Sequence, residues 1–313
     1  MLYFLLLSLT YHSIIIDGAN DFNSDEIFVQ DRNNDSYWGK DNELDTLYLT
    51  WDRNNLYIGC VYSLNNNAIL IFLDTGEGGI DNANLLDWYP RDVRFSGAKP
   101  DYLIALWNGN LSLGGVRKLS KPTIPLSYQG ENKAISNGKY FLEVSIPFSS
   151  IGKPKILRIT SLICGGDYST SCDAMPDDKS IRGEGSVIIN TFREINIDSD
   201  DDNEPDSSVS VNNAAKDVSY EVIFPSFNLV KLEPEVCRGN DVEITISLTE
   251  KSSVNVSLFN ENGRFLKNLF YIQDVKDTTF YWDVKGIDEG VYIIKFTTSD
   301  NSSIIKKAFV RIK

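Results

Sequence analysis

At 313 residues, 42% of them hydrophobic, the chain is long enough for two ordinary domains with real cores, which excludes wholesale disorder. A formal net charge of −14 argues against nucleic acid and anionic membrane surfaces as partners. The single histidine, His12, leaves the rest of the chain without Ser-His-Asp or Cys-His nucleophile activation and without histidine metal ligation.

The opening run MLYFLLLSLTYHSIII contains no Asp, Glu, Lys or Arg. It reads as a secretory signal peptide over residues 1–16. The alternative is a first β-strand, since SIIIDG has strand chemistry. No other stretch is long and apolar enough for a membrane helix, so no integral membrane segment is expected.

Beyond this run helical periodicity is almost absent, and short strand-like runs alternate with turn residues. LDTLYLTWD passes through Arg53 and Asn54 toward LYIGCVY in a hairpin pattern. Further runs occupy 68–74, 101–107, 139–147, 155–163 and 186–192. In the third of these, Tyr140, Leu142, Val144 and Ile146 alternate with Glu143 and Ser145, the pattern of a strand wet on one face. AILIFLD, at 68–74, predicts a central strand covered on both faces. Seven or eight such strands imply a β-sandwich over residues 17–195. Its long, polar, glycine-rich connections at 74–100 and 165–185 are where binding usually sits on a rigid sandwich.

Cys60, Cys164, Cys172 and Cys237 form no CxxC, so zinc and thioredoxin-like redox sites are unsupported. Cys164 and Cys172 flank GGDYSTS and are either a loop disulfide of an exported protein or two buried free thiols. Cys60 and Cys237 read as core residues.

Residues 196–228 form an acidic segment. From Leu229 to Lys313 there are twelve basic and twelve acidic residues, leaving 18 basic against 32 acidic in the remainder, and this shift supports a domain boundary near residue 228. In 229–313, DVEITISLT sets Val242, Ile244, Ile246 and Leu248 on one face. SVNVSLFNENGRFLKNLFY reads as a hairpin around Gly263. With TTFYWDV, GVYIIKFTT and SIIKKAFVRIK it makes six or seven strands of an immunoglobulin-like sandwich. The fold class is therefore all-β: two β-sandwich domains, the second immunoglobulin-like.

Asn260 to Arg264, the Trp282–Asp283 pair and Gly290 to Lys295 together resemble the FlgD-type Ig-like domains and the related C-terminal sorting domains of bacterial exported proteins. This likeness spans residues 229–313 and implies a buried structural role for Trp282. IIIDGANDF, LYLTWDRNNLYIG, IFLDTGEGGIDN, KPDYLIALWNG, LEVSIPFSSIG and CDAMPDDKS, in that order, resemble the carbohydrate-binding family 9-like and DOMON-like sandwiches found beside or within secreted glycan-active proteins. That likeness implies a loop at Asp173, Asp177 and Asp178 stapled by a cation, the plain alternative being a charged loop tip. Together the two imply a secreted or cell-surface protein.

In INIDSDDDNEPDSS, Asp198, Asp200, Asp202 and Asp206 follow the pattern D-x-D-x-D-x-x-x-D. Alternate carboxylates in an extended turn can converge on a hard cation such as calcium. Asn203 tolerates the left-handed conformation such a turn needs, and Pro205 stiffens the exit. The stretch resembles the calcium repeat of thrombospondin type 3; an EF-hand would need a Glu that is missing. The alternative is a solvated acidic linker. Asp74, Glu77 and Asp81 also have ligand-like spacing, or are simply loop residues.

Sugar recognition needs flat aromatic faces for pyranose C–H surfaces, with Asp, Asn or Arg gripping hydroxyls. Trp88, Tyr89, Arg91 and Asp92 in LLDWYPRD are the leading ligand-binding candidates, with Trp38 and Trp107 behind them. Trp51 and Trp107 belong to strand patterns and read as core. No pair of carboxylates is singled out for glycoside hydrolysis, so no catalytic residue is assigned and no enzyme is expected. The expectation is an exported, non-catalytic carbohydrate-binding protein with calcium as cofactor and a glycan or cell-surface component as partner. The alternative is a structural or adhesive surface subunit that self-associates.

Overall fold

The computed structural model describes residues 11–31, 34–76, 78–166, 169–207, 210–220, 227–234, 236–237, 241–298 and 303–310. The chain divides into two compact units, Met1–Val222 and Ile223–Lys313.

In chain order the strands of the first unit are β1 (Ile27–Gln30), β2 (Glu43–Trp51), β3 (Asn55–Ser63), β4 (Ala68–Asp74), β5 (Val93–Phe95), β6 (Tyr102–Trp107), β7 (Asn110–Lys118) and β8 (Ile124–Pro125). They continue with β9 (Gln129–Ala134), β10 (Tyr140–Pro147), β11 (Ile156–Cys164), β12 (Ser171–Met175), β13 (Val187–Ile189), β14 (Thr191–Asn196) and β15 (Lys216–Ser219). One sheet has the order β1-β2-β3-β10-β9. The other runs β15-β14-β11-β4-β6-β7-β8, with β12 also paired to β11. β5 and β13 form a small parallel pair of their own.

Local chemistry explains the first hairpin. Oδ1 of Asp52 accepts from the Asn54 and Asn55 amides at 2.7 and 2.8 Å, an Asx turn that reverses the chain between β2 and β3. Strand alternation then sorts side chains between two cores. β4 is buried along its whole length, as AILIFLD predicts. Ile69, Ile71 and Leu73 enter the core between the sheets, while Ala68, Leu70 and Phe72 enter a second core on the outer face. Val93, Phe95, Val187 and Ile189, in the long connections, roof that second core.

β10 departs from the half-wet expectation. Glu143 is fully buried, because residues 17–26 fold back over the outer face of its sheet. The Gly18 amide donates to Oε1 of Glu143, and Phe22 packs against Tyr48 with ring centroids 5.3 Å apart. A Cβ on Gly59 would come within 2.6 Å of the Phe22 ring, so this strand position admits only glycine under the roof.

Of the residues read as a leader, 1–16, the last six are described and contact the first unit. Tyr11 donates its hydroxyl to the Pro205 carbonyl at 2.7 Å, His12 pairs with Glu26 at 2.8 Å, and Ile14 is buried. Residues 1–10 lie outside the described residues.

The acidic segment is no free linker. Lys153 pairs with Glu204, Lys155 bonds Asp201 at 2.5 Å, and Trp51 donates from Nε1 to the Asp206 carbonyl at 2.9 Å. β15 then pairs antiparallel with β14, so the first unit runs beyond the boundary expected at 195. Pairing with backbone and side chains that are distant in sequence outweighs the solvation of its carboxylates.

Cys164 and Cys172 lie on adjacent strands but on opposite faces. Cys164 enters the outer core and Cys172 the inter-sheet core, so the sheet itself keeps the two thiols apart and both are free.

The second unit contains β16 (Phe227–Glu233), β17 (Val236–Cys237), β18 (Val242–Asn260), β19 (Phe265–Trp282), β20 (Gly290–Thr298) and β21 (Ser303–Val310). β18 pairs along its first half with β16 and along its second with β20, and β19 accompanies it throughout. Register shifts between Ser247 and Val254 interrupt this long ribbon, so what reads as separate strands in sequence is one continuous antiparallel pair. Val242, Ile244, Ile246, Leu248 and Trp282 are buried as expected. Gly263, at φ 76°, makes the hairpin turn that Asn260 closes by accepting from the Arg264 amide at 2.9 Å. No helix among the described residues is long and apolar enough to cross a membrane.

Candidate functional site

The aromatic candidates lie on the connection between β4 and β5. After a short 3-10 turn, Ala83–Leu85, the chain carries Trp88 and Tyr89 half-buried against the outer core. Their rings meet edge to face with centroids 4.7 Å apart. Tyr89 sits at φ 51°, and its hydroxyl donates to the Leu113 carbonyl on β7. The hydrogen bond and the aromatic contact hold a backbone conformation that a tyrosine seldom adopts.

Two guanidinium groups brace this pair. Arg117, from β7, lies with Cζ 4.7 Å from the Trp88 ring centre and donates to the Thr123 hydroxyl at 3.0 Å. Arg91 lies 5.3 Å from the Tyr89 ring centre, but at 1% exposure it belongs to the interior. Arg91 therefore supports the ring and does not face solvent. Asp92 accepts from Ser186 at 2.5 Å, a clamp between loops. Sequence reasoning missed Arg117, because only the β6–β7 hairpin brings it to a loop nearly thirty positions earlier. Trp51 is buried, Trp107 is half-buried against the outer core, and Trp38 donates to the Gly183 carbonyl at 3.1 Å.

The acidic candidates fall into two places. In the segment after β14, Asp198, Asp200 and Asp202 each bring one oxygen within 4.8 Å of the others. Buried Asp198 already accepts from the Asp202 and Asn203 amides at 3.2 and 3.1 Å, and Asn203 takes the left-handed conformation expected of it. Asp206 is turned elsewhere, accepting from the amide and hydroxyl of Ser199 at 2.8 and 2.6 Å.

The second place draws on both sheets. Asp173 and Asp177 come together with Asp31, Asp35 and Glu43, which sequence spacing did not connect to them. Asp178 does not join them. It accepts from the Ser180 amide through one oxygen and from the Asn190 and Thr191 amides through the other, at 2.8 to 3.0 Å. It therefore acts as a structural staple between its own loop and the β13–β14 turn. Asp173 accepts from the Leu44 amide at 2.7 Å, yet burial, followed by the charges of Glu43, Asp31 and Asp35, pushes its carboxyl up to about 8. Burial likewise raises Glu43 and Asp177. Glu77 lies outside the described residues.

Residues 240–311 match the protein family described as a secretion system C-terminal sorting domain. The match falls within the second unit and marks a protein exported through the type IX system and either secreted or attached to the cell surface. No curated protein matches the chain. Among solved structures it is similar to a family 9 carbohydrate binding module from Caldicellulosiruptor kristjanssonii in complex with glucose, at 15% identity over 70% of this chain and 97% of that one, with TM-score 0.35. It is also similar to the Yersinia pseudotuberculosis adhesin InvE, at 7% identity over 67% of this chain and 53% of that one, with TM-score 0.23. A third is dimeric latent PorU from Porphyromonas gingivalis, at 9% identity over 83% of this chain and 32% of that one, with TM-score 0.27. Likenesses this slight carry no argument about ligand.

Proposed function

We propose that this exported protein is a non-catalytic glycan-binding protein whose first sandwich holds the ligand. The observation that supports the reading is the braced pair of half-buried rings, Trp88 and Tyr89, beside Arg117. A pyranose presents C–H faces that stack on such rings and hydroxyls that a guanidinium grips. Fixing the rings beforehand lowers the ordering cost of binding, since neither side chain has to be immobilised by the sugar. Arg117 takes the role that buried Arg91 leaves unfilled. The test is a glycan array with the full chain. Binding should be lost in Trp88→Ala and weakened in Arg117→Ala, and a clean negative across glycans overturns the reading.

A second reading, self-association or a protein partner, draws on the exposed Phe265, Tyr271, Tyr281 and Ile305 of the second unit. Sedimentation across a concentration series separates the two: a mass that stays monomeric at every concentration removes self-association.

A further inference from the structure

The strand beside the aromatic pair carries an inference that rests on the glycan reading and names its ligand class. β6 and β7 pair in regular register from Tyr102 opposite Lys118 to Ala105 opposite Gly115; the register then jumps, and Trp107 stands opposite Asn110. Residues 111–114 of β7 therefore oppose Leu106 alone, a bulge in the strand that holds the Tyr89 hydroxyl. Two glycines shape it. A Cβ on Gly114 would lie 1.9 Å from the Ala105 carbonyl oxygen, and Gly115 takes φ 136°. Bulges re-aim side chains, often beside binding sites. The residue presented here is Leu113, which is 56% exposed while its carbonyl accepts from Tyr89.

Charged groups of both signs stand beside the same rings. Arg117 commits one N–H to the Thr123 hydroxyl and keeps further donors in its planar fork. Asp87, exposed and directly before Trp88, accepts from the Thr123 amide at 3.0 Å. That amide, and then the Thr123 hydroxyl, hold its carboxyl below the usual range, so it is ionised. Thr123 thus ties a cation and an anion to one point beside Trp88. Arg117 alone would favour an acidic sugar, but Asp87 next to it repels a carboxylate. The acceptor that suits Arg117 is therefore neutral. Exposed Leu113 adds an apolar wall from which a sugar hydroxyl gains nothing.

We propose that this surface selects glycans built from 2-acetamido sugars, with Leu113 and Arg117 reading the acetamide of a pyranose stacked on Trp88 and Tyr89. The acetamide joins the two features that a plain hydroxyl cannot supply together: a neutral carbonyl that accepts from the guanidinium, and a methyl group that covers the leucine. Asp87 accepts from a neighbouring ring hydroxyl and keeps anionic sugars out. Selectivity of this kind is a difference between two affinities, so it can fail while glycan binding itself stands.

The experiment is calorimetric titration of the full chain with two neutral disaccharides, N,N′-diacetylchitobiose and cellobiose, which differ only in acetamide against hydroxyl at the second ring carbon. Diacetylchitobiose should bind at least about tenfold more tightly, the range that one added apolar contact supplies. Leu113→Ser, at an exposed position, should shrink that ratio toward unity. Leu113→Met keeps an apolar wall and should preserve it. Equal affinity for the two sugars overturns the inference and leaves the glycan reading standing. So does a preference that survives Leu113→Ser undiminished. Binding of neither disaccharide overturns it as well, and only a clean negative across the glycan array then removes the broader reading.

Discussion

Trp51 and Asp206, 155 positions apart, are joined by the 2.9 Å bond from the indole Nε1 to the Asp206 carbonyl. The indole is 4% exposed, so the bond is made where water does not compete. It anchors the acidic segment to the sandwich. Trp51→Phe keeps most of the apolar volume and orphans the carbonyl, which should cost about 2 kcal/mol. Hydrogen exchange should quicken across 198–206 before the rest of the unit. Unchanged protection there would show that the salt bridges alone hold the segment.

Glu143 gives a pH dependence with a definite sign. Burial, and then the neighbouring charges of Asp17 and Asp21, raise its carboxyl from 4.5 despite the Gly18 amide. A raised carboxyl means that the native state holds its proton longer than the unfolded chain does. Its contribution to stability is complete below the unfolded value and is lost as pH rises through the folded one. Glu143→Gln keeps an oxygen for Gly18 and removes the charge. Its melting temperature should therefore gain on the wild type as pH rises from the unfolded value of 4.5 through the raised folded one. A difference that stays constant with pH would refute the assignment.

Arg158 stands directly opposite Asp74 on β4 and Glu194 on β14, and bonds them at 3.1 and 2.7 Å. Arg158→Met leaves two carboxylates flanking an apolar side chain on a central strand. Because Arg158 is 22% exposed, the loss should be about 2–3 kcal/mol, below the ~3–5 of a fully enclosed pair. Chemical denaturation measures it, and a change under about 0.5 kcal/mol would mean solvent already carries the charges.

Cys164 and Cys172 should remain thiols even after export to an oxidising compartment. Burial pushes Cys164 up to about 11 and Cys172 up to about 12, so alkylation of the native protein should be slow. Denaturation should release both at once without reductant. Mass spectrometry that finds them labelled only after reduction would contradict the opposite-face arrangement.

Strand content could be read from the chain because side-chain alternation is a local property. β4, β10 and β11 stand within a residue of where their runs of apolar residues place them, and Gly263 turns the hairpin its neighbours announce. β7 and β9 were not legible. NLSLGGVRK and QGENKA carry little apolar signal, and pairing with β6 and β10 is what makes them strands.

The same division runs through the functional residues. Trp88 and Tyr89 stand out in sequence as adjacent aromatics in a long polar loop, and the acidic spacing after β14 is visible at a glance. Sequence composition and pattern also sufficed for an all-β protein, since those depend on residue type and short-range order, while export was implied by the motif resemblance over residues 229–313. Which residues share a site was decided only by tertiary structure. Arg117 reaches Trp88 through a hairpin, Glu43 reaches Asp173 across 130 positions, and Arg91 and Asp178 are diverted into structural bonds. Desolvation and proximity set that chemistry, and both belong to the packed sheets, with no counterpart along the linear chain.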